Sequence, residues 1–128
     1  MNDRLLAFSI AMIAVEKLKR KKQILQFLRE LRGSDDRMQK IFLEGSCFRL
    51  YCILKTIYPD AKPYYSQVDG HWVTKIDGSY YDINGKLSKD YIKDKGYEHE
   101  TETVTLASAY IHTASNQIGT SYRKYEEI

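Results

Sequence analysis

The chain has 128 residues and a mass of 15.0 kDa, with 43% hydrophobic and 29% charged residues, two prolines and two cysteines. That length suits one domain with a single core, and the composition excludes collagen-like, low-complexity and disordered chains. Twenty basic against seventeen acidic residues leave a net charge of +3, too small a surplus to argue for nucleic acid as a partner.

Residues 3 to 32 are predicted helical. Leu5, Leu6, Phe8, Met12, Ile13 and Val15 have helix-compatible spacing, and Ile24, Leu25, Phe27, Leu28 and Leu31 resume it. Between them lie Lys17, Lys19, Arg20, Lys21 and Lys22, where the segment either bends into two helices or continues as one. This basic run reads as a solvated helix face, with a patch for nucleic acid or anionic lipid as the functional alternative. No aromatic residue interleaves with it, as single-strand binding would require. The apolar stretch before it is short of the roughly 20 residues that a spanning helix needs. Asp3 and Arg4 cancel ahead of that stretch, so it does not read as a signal peptide. A cytoplasmic protein with no membrane span is the expectation.

Gly33-Ser34-Asp35-Asp36 is a stop followed by cap candidates, and residues 37 to 43 fit a short second helix. Gly45-Ser46-Cys47 opens a third, on which Leu50, Ile53, Leu54 and Ile57 form the expected buried stripe, ended by Pro59. The pattern then becomes β-like. Residues 62 to 68 look extended, and Asp69-Gly70 is a turn. Residues 71 to 76 and 79 to 84 flank Asp77-Gly78, the strongest short hairpin signal. Ser88 caps a predicted short helix stopped at Gly96. Residues 97 to 106 alternate like a further strand, and a helix is expected from Ala107. Helices first and strands later predict an α+β fold: one domain over residues 1–128, with a helical N-terminal half packed on a small antiparallel sheet. Within it, 1–44 is the helical region, 45–106 the core and 107–128 a C-terminal segment.

Cys47 sits at a helix start, where unpaired backbone N–H groups and the dipole favour an anion, so a thiolate is stabilised. Gly45 lets a substrate backbone approach. With Asp77-Gly78 as a two-residue loop, Val73 faces Asp82 and His71 faces Asn84, and all four share one face of the hairpin. Asp82 is then the diagonal neighbour of His71, within hydrogen-bond reach. A thiol nucleophile needs a base, and the base needs a third group to orient it. Cys47, His71 and Asp82 are the candidates for those roles, with Ser46 and Asn84 as supporting or oxyanion groups and Gln39 as a further oxyanion candidate.

The sequence resembles a family in these residues. Gly45-Ser46-Cys47-Phe48, His71-Trp72-Val73 and Tyr80-Tyr81-Asp82 are similar to the transglutaminase-like branch of the papain-like cysteine enzymes. Its order is Cys at a helix N-terminus, His on a strand and Asp on the next. The resemblance spans residues 45 to 84. It implies a papain-like core with Cys47 as nucleophile, His71 as base and Asp82 as orienter. The implied reaction passes through an acyl-enzyme and hydrolyses an amide or peptide-like bond, or transfers the acyl group to an amine. The substrate would be a peptide, a protein or a small amide or acyl compound.

The chain holds eleven tyrosines; of these, Tyr51, Tyr65 and Tyr80 are the candidate pocket walls, and Tyr64 a further rim residue. No cofactor is expected, and the Cys and His residues lack zinc spacing. His99 and His112 read as surface or packing histidines. The alternative function is a non-catalytic binding or inhibitory protein on the same scaffold, acting on a protein or nucleotide partner. A chain this compact would suit a phage or mobile-element gene.

Overall fold

The computed structural model describes residues 2–97 and 124–126. The element order is α1 (Asp3–Gly33), α2 (Met38–Leu43), α3 (Cys47–Ile57), β1 (Lys62–Ser66), β2 (His71–Ile76), β3 (Ser79–Asp82), β4 (Gly85–Lys86) and α4 (Lys89–Asp94). The fold is α+β: a helical N-terminal part followed by a four-stranded antiparallel sheet in the order β1-β2-β3-β4. The strand expected from residue 97 and the helix from Ala107, with His99 and His112, fall outside the described residues, except that Tyr97 ends a turn after α4 and is buried.

The basic run does not break α1, which is one helix of 31 residues opened by the Asn2 side chain accepting from the N–H of Arg4. Helix α3 buries only part of the stripe its sequence suggests. Cys47, Leu50 and Leu54 are buried, while Ile53 and Ile57 are 37% and 48% exposed. Ile53 lies about 100° round the helix from Leu54, which takes it off the sheet, and Ile57 is in the last turn.

The turn between β2 and β3 has positive φ at both central residues, Asp77 at 51° and Gly78 at 81°, as a two-residue hairpin loop demands. The register is Ile76↔Ser79, Lys75↔Tyr80 and Thr74↔Tyr81. The expected pairing does not continue beyond that point. Asp82 pairs with Gly85 instead, because its carboxylate accepts the N–H of Asn84 at 2.8 Å and folds the chain into a tight turn. Gly85, at φ 128°, completes the reversal in a conformation that side chains disfavour. Asn84 therefore lies in a turn and not opposite His71.

Side-chain alternation sorts the sheet into two faces. Trp72, Thr74, Ile76 and Tyr81 face the N-terminal helices, where Ile24, Leu25 and Leu28 of α1, Phe42 of α2 and Leu50 and Leu54 of α3 gather with Ile76 and Tyr81. Tyr64, Val73 and Tyr80 face the other side, covered by Leu87, Tyr91, Ile92 and Tyr97. Residues 124–126 return beside β4: Ser88 N donates to the carbonyl of Lys124, and Glu126 N to that of Lys86, each at 2.8 Å.

Candidate active site

Cys47, His71 and Asp82 are brought together from three elements, and all three are buried, at 2%, 0% and 1% exposure. The ladder between β2 and β3 ends at Thr74, so the start of β2 has no β3 partner. Side chains take the vacant places. Sγ of Cys47 accepts the N–H of Trp72 at 3.4 Å, and Nε2 of His71 meets Oδ2 of Asp82 at 3.3 Å.

The carboxylate of Asp82 is held at both oxygens. Oδ1 accepts from Asn84 N at 2.8 Å, and Oδ2 also accepts the Tyr125 hydroxyl at 2.7 Å. Desolvation opposes a charged His71 ring. The hydrogen bond and charge of Asp82, and after them those of Cys47, outweigh it, and the imidazole is pushed up to about 9. Nδ1 is buried and makes no hydrogen bond of good geometry, although the thiol lies close enough to favour the ring's charge. Loose nucleophile–base geometry is common before substrate arrives.

The other expected site residues divide. Tyr65 packs on Trp72 with ring centroids 5.1 Å apart and joins Phe48 against Cys47; burial and the nearby sulfur push its hydroxyl up. Tyr51 stands one ring further out, 5.4 Å from Phe48. Tyr80 shares the face of His71 but packs against Tyr64 in the other cluster, at 5.3 Å, so it does not line the space around Cys47. Ser46 precedes α3 without a side-chain cap, and its own N–H is committed to the carbonyl of Ile41 at 3.1 Å. Asn84 and Gln39 are joined to each other, Nε2 of Gln39 donating to Oδ1 of Asn84 at 2.6 Å. Nδ2 of Asn84 in turn donates to the Tyr125 hydroxyl at 3.4 Å.

Two residues carried no local signal. Tyr125 lies 43 positions from its Asp82 partner. Burial first, and then Asp82, push its hydroxyl far above the usual range, so it stays a donor. Asp69, which reads as a turn residue, is a second buried carboxylate; its Oδ2 accepts the hydroxyls of Tyr91 and Tyr97 at 2.5 and 2.8 Å. Among the described residues no group of three His, Cys, Asp or Glu side chains is arranged to hold a metal ion. No described helix is long and apolar enough to cross a membrane.

A family model described as Phage YunG-like protein matches residues 24–118, a stretch that takes in Cys47, His71 and Asp82. The chain belongs to the Phage YunG-like family. That name is compatible with the expected phage or mobile-element origin. No curated protein gives a match to this Phage YunG-like chain, and no solved structure does.

Proposed function

We propose that this chain is a cysteine-nucleophile enzyme on a compact transglutaminase-like, papain-like core, acting on an amide or other acyl substrate. The observation that carries the reading is the buried His71 ring between Asp82 and Cys47, with its imidazole pushed up to about 9. At neutral pH that ring is an imidazolium, suited to face a thiolate. Sulfur attacks the substrate carbonyl carbon, and the C=O pair moves onto oxygen. As the tetrahedral adduct collapses, the imidazolium gives its proton to the departing amine, leaving a thioester on Cys47. Water or an acceptor amine then attacks the thioester carbon and passes its proton to neutral His71, and the adduct collapses as the C–S bond breaks and Cys47 leaves as thiolate. Asp82 holds the ring in one orientation throughout.

Phe48 and Tyr65 pack against the cluster of Cys47 and Trp72 and are partly exposed, so their rotation is the proposed way in. The burial of Cys47 itself favours the second reading, a binding or inhibitory protein in which the same three residues only hold the fold. A small activated ester separates the two. With p-nitrophenyl acetate the catalytic reading predicts a burst of p-nitrophenolate and an acetyl group on Cys47 by mass spectrometry. His71→Ala should slow the burst by about 10²–10⁴, and Cys47→Ala should abolish it. Acetylation of Cys52 as fast as Cys47, or a burst indifferent to His71→Ala, would overturn it.

A further inference from the structure

The N-terminal half of α1 does not contribute to the domain core. The first buried side chain on this helix is Ile24, whereas Leu5, Leu6, Phe8, Ile10, Met12, Ile13, Val15 and Leu18 are each 45–66% exposed. From residue 5 to residue 15 every position except Ser9 is apolar. Apolar side chains therefore point out on all sides of the helix, an arrangement suited to an apolar surrounding and costly in water. The segment also lies outside the family-matched residues 24–118.

The next stretch of the helix is basic. Lys17, Lys19 and Lys22 are exposed and Lys21 half-buried. Arg20 is tied back to Asp60 at 2.8 Å and Asp77 at 3.3 Å, which fixes the angle at which the apolar part leaves the domain. At its foot a cavity of about 260 Å³ is lined among others by Lys17, Lys21, Asp77 and Lys86, the last paired with Glu126 at 2.7 Å.

From the all-round apolar segment, the cationic collar and that cavity, we infer that α1 docks this protein on an anionic phospholipid bilayer. Residues 5 to 15 span about 16 Å as helix, half of a hydrocarbon core of about 30 Å, so they enter one leaflet without crossing it. The lysines then stand at headgroup level, where each is drawn to an anionic surface, and the Lys17–Lys21–Lys86 cavity receives a headgroup phosphate. A second copy of the chain fits less well, because pairing two helices covers one stripe on each and leaves the remaining apolar sides in water. The inference is independent of the chemistry at Cys47.

Flotation of the full chain with phosphatidylcholine vesicles, with and without phosphatidylglycerol, tests it. The chain should float with the anionic vesicles, and less so as salt is raised. Phe8→Glu with Ile13→Glu should abolish flotation at an unchanged thermal unfolding midpoint, since both side chains are exposed. Lys17→Gln, Lys21→Gln and Lys22→Gln together should weaken binding to anionic vesicles about a hundredfold. Failure to float with anionic vesicles would overturn the inference, as would flotation unaffected by the Glu pair. A dimer in light scattering that Phe8→Glu with Ile13→Glu dissociates, without vesicle uptake, would assign the face to a second copy instead.

Discussion

At the scale of single residues, His71 sits between opposed effects: burial disfavours its charge, while Asp82 and Cys47 favour it. The balance has a consequence for stability. The folded value of about 9 lies above the ordinary 6.5, so the folded state keeps a proton that the unfolded chain has released. For the His71–Asp82 pair by itself the stabilisation is complete below pH 6.5 and is lost as pH rises through the folded value. Tyr97 and Tyr125, whose hydroxyls are also pushed up, contribute only above their ordinary value of 10.0 and stay outside this window. Urea unfolding of Cys47→Ala from pH 6.5 to 9 should therefore show falling stability, and a nearly flat profile once Asp82→Asn is added. Equal slopes would contradict the pairing. Cys47, His71 and Asp82 were legible in the sequence because short-range rules locate them: Gly-Ser before a helix, and an Asp-Gly loop that fixes side-chain parity. Tyr125 was not, since only the return of the chain beside β4 brings its hydroxyl to Asp82.

Among elements, most are readable from spacing, caps and turn residues, the six-residue helices α2 and α4 included, and the shortest strand is not. Helices α1 and α3 and the hairpin of β2 and β3 follow from spacing and turn residues. Strand β4 has two residues, too few for any pattern. The stripe of α3 is only half buried, since Ile53 and Ile57 are as apolar as the residues that pack but lie off the sheet. Asn84 was misplaced because an aspartate side chain bonded to the backbone two residues on ends a strand that hydrophobic alternation would continue. The same turn makes residues 124–126 part of the site, through the Tyr125 hydroxyl on Asp82 at 2.7 Å. Tyr125→Phe removes that donor from a buried carboxylate and should cost about 2 kcal/mol, read as a lower thermal midpoint with the far-UV spectrum unchanged. An unaltered midpoint would mean that this segment does not hold the site.

At the largest scale, the described residues form a sheet between two unlike covers. Helices α1 to α3 bury one face with mainly aliphatic side chains, and α4 with Tyr91 and Tyr97 buries the other with mainly aromatic ones. Many of the eleven tyrosines of the sequence thus find their place in that second cover and in the hydroxyl donors to Asp69 and Asp82. Cys47 comes from the helical cover, while His71 and Asp82 belong to the sheet, so the three meet only when the layers have assembled. The central claim is that they then act as one coupled, charged unit. The most direct test is a pH titration of the His71 ring nitrogens by NMR. The imidazole should stay protonated up to about pH 9 in the native chain, and its midpoint should fall in Asp82→Asn and in Cys47→Ser. A His71 ring that is neutral at pH 7, or whose midpoint ignores both substitutions, would contradict the account.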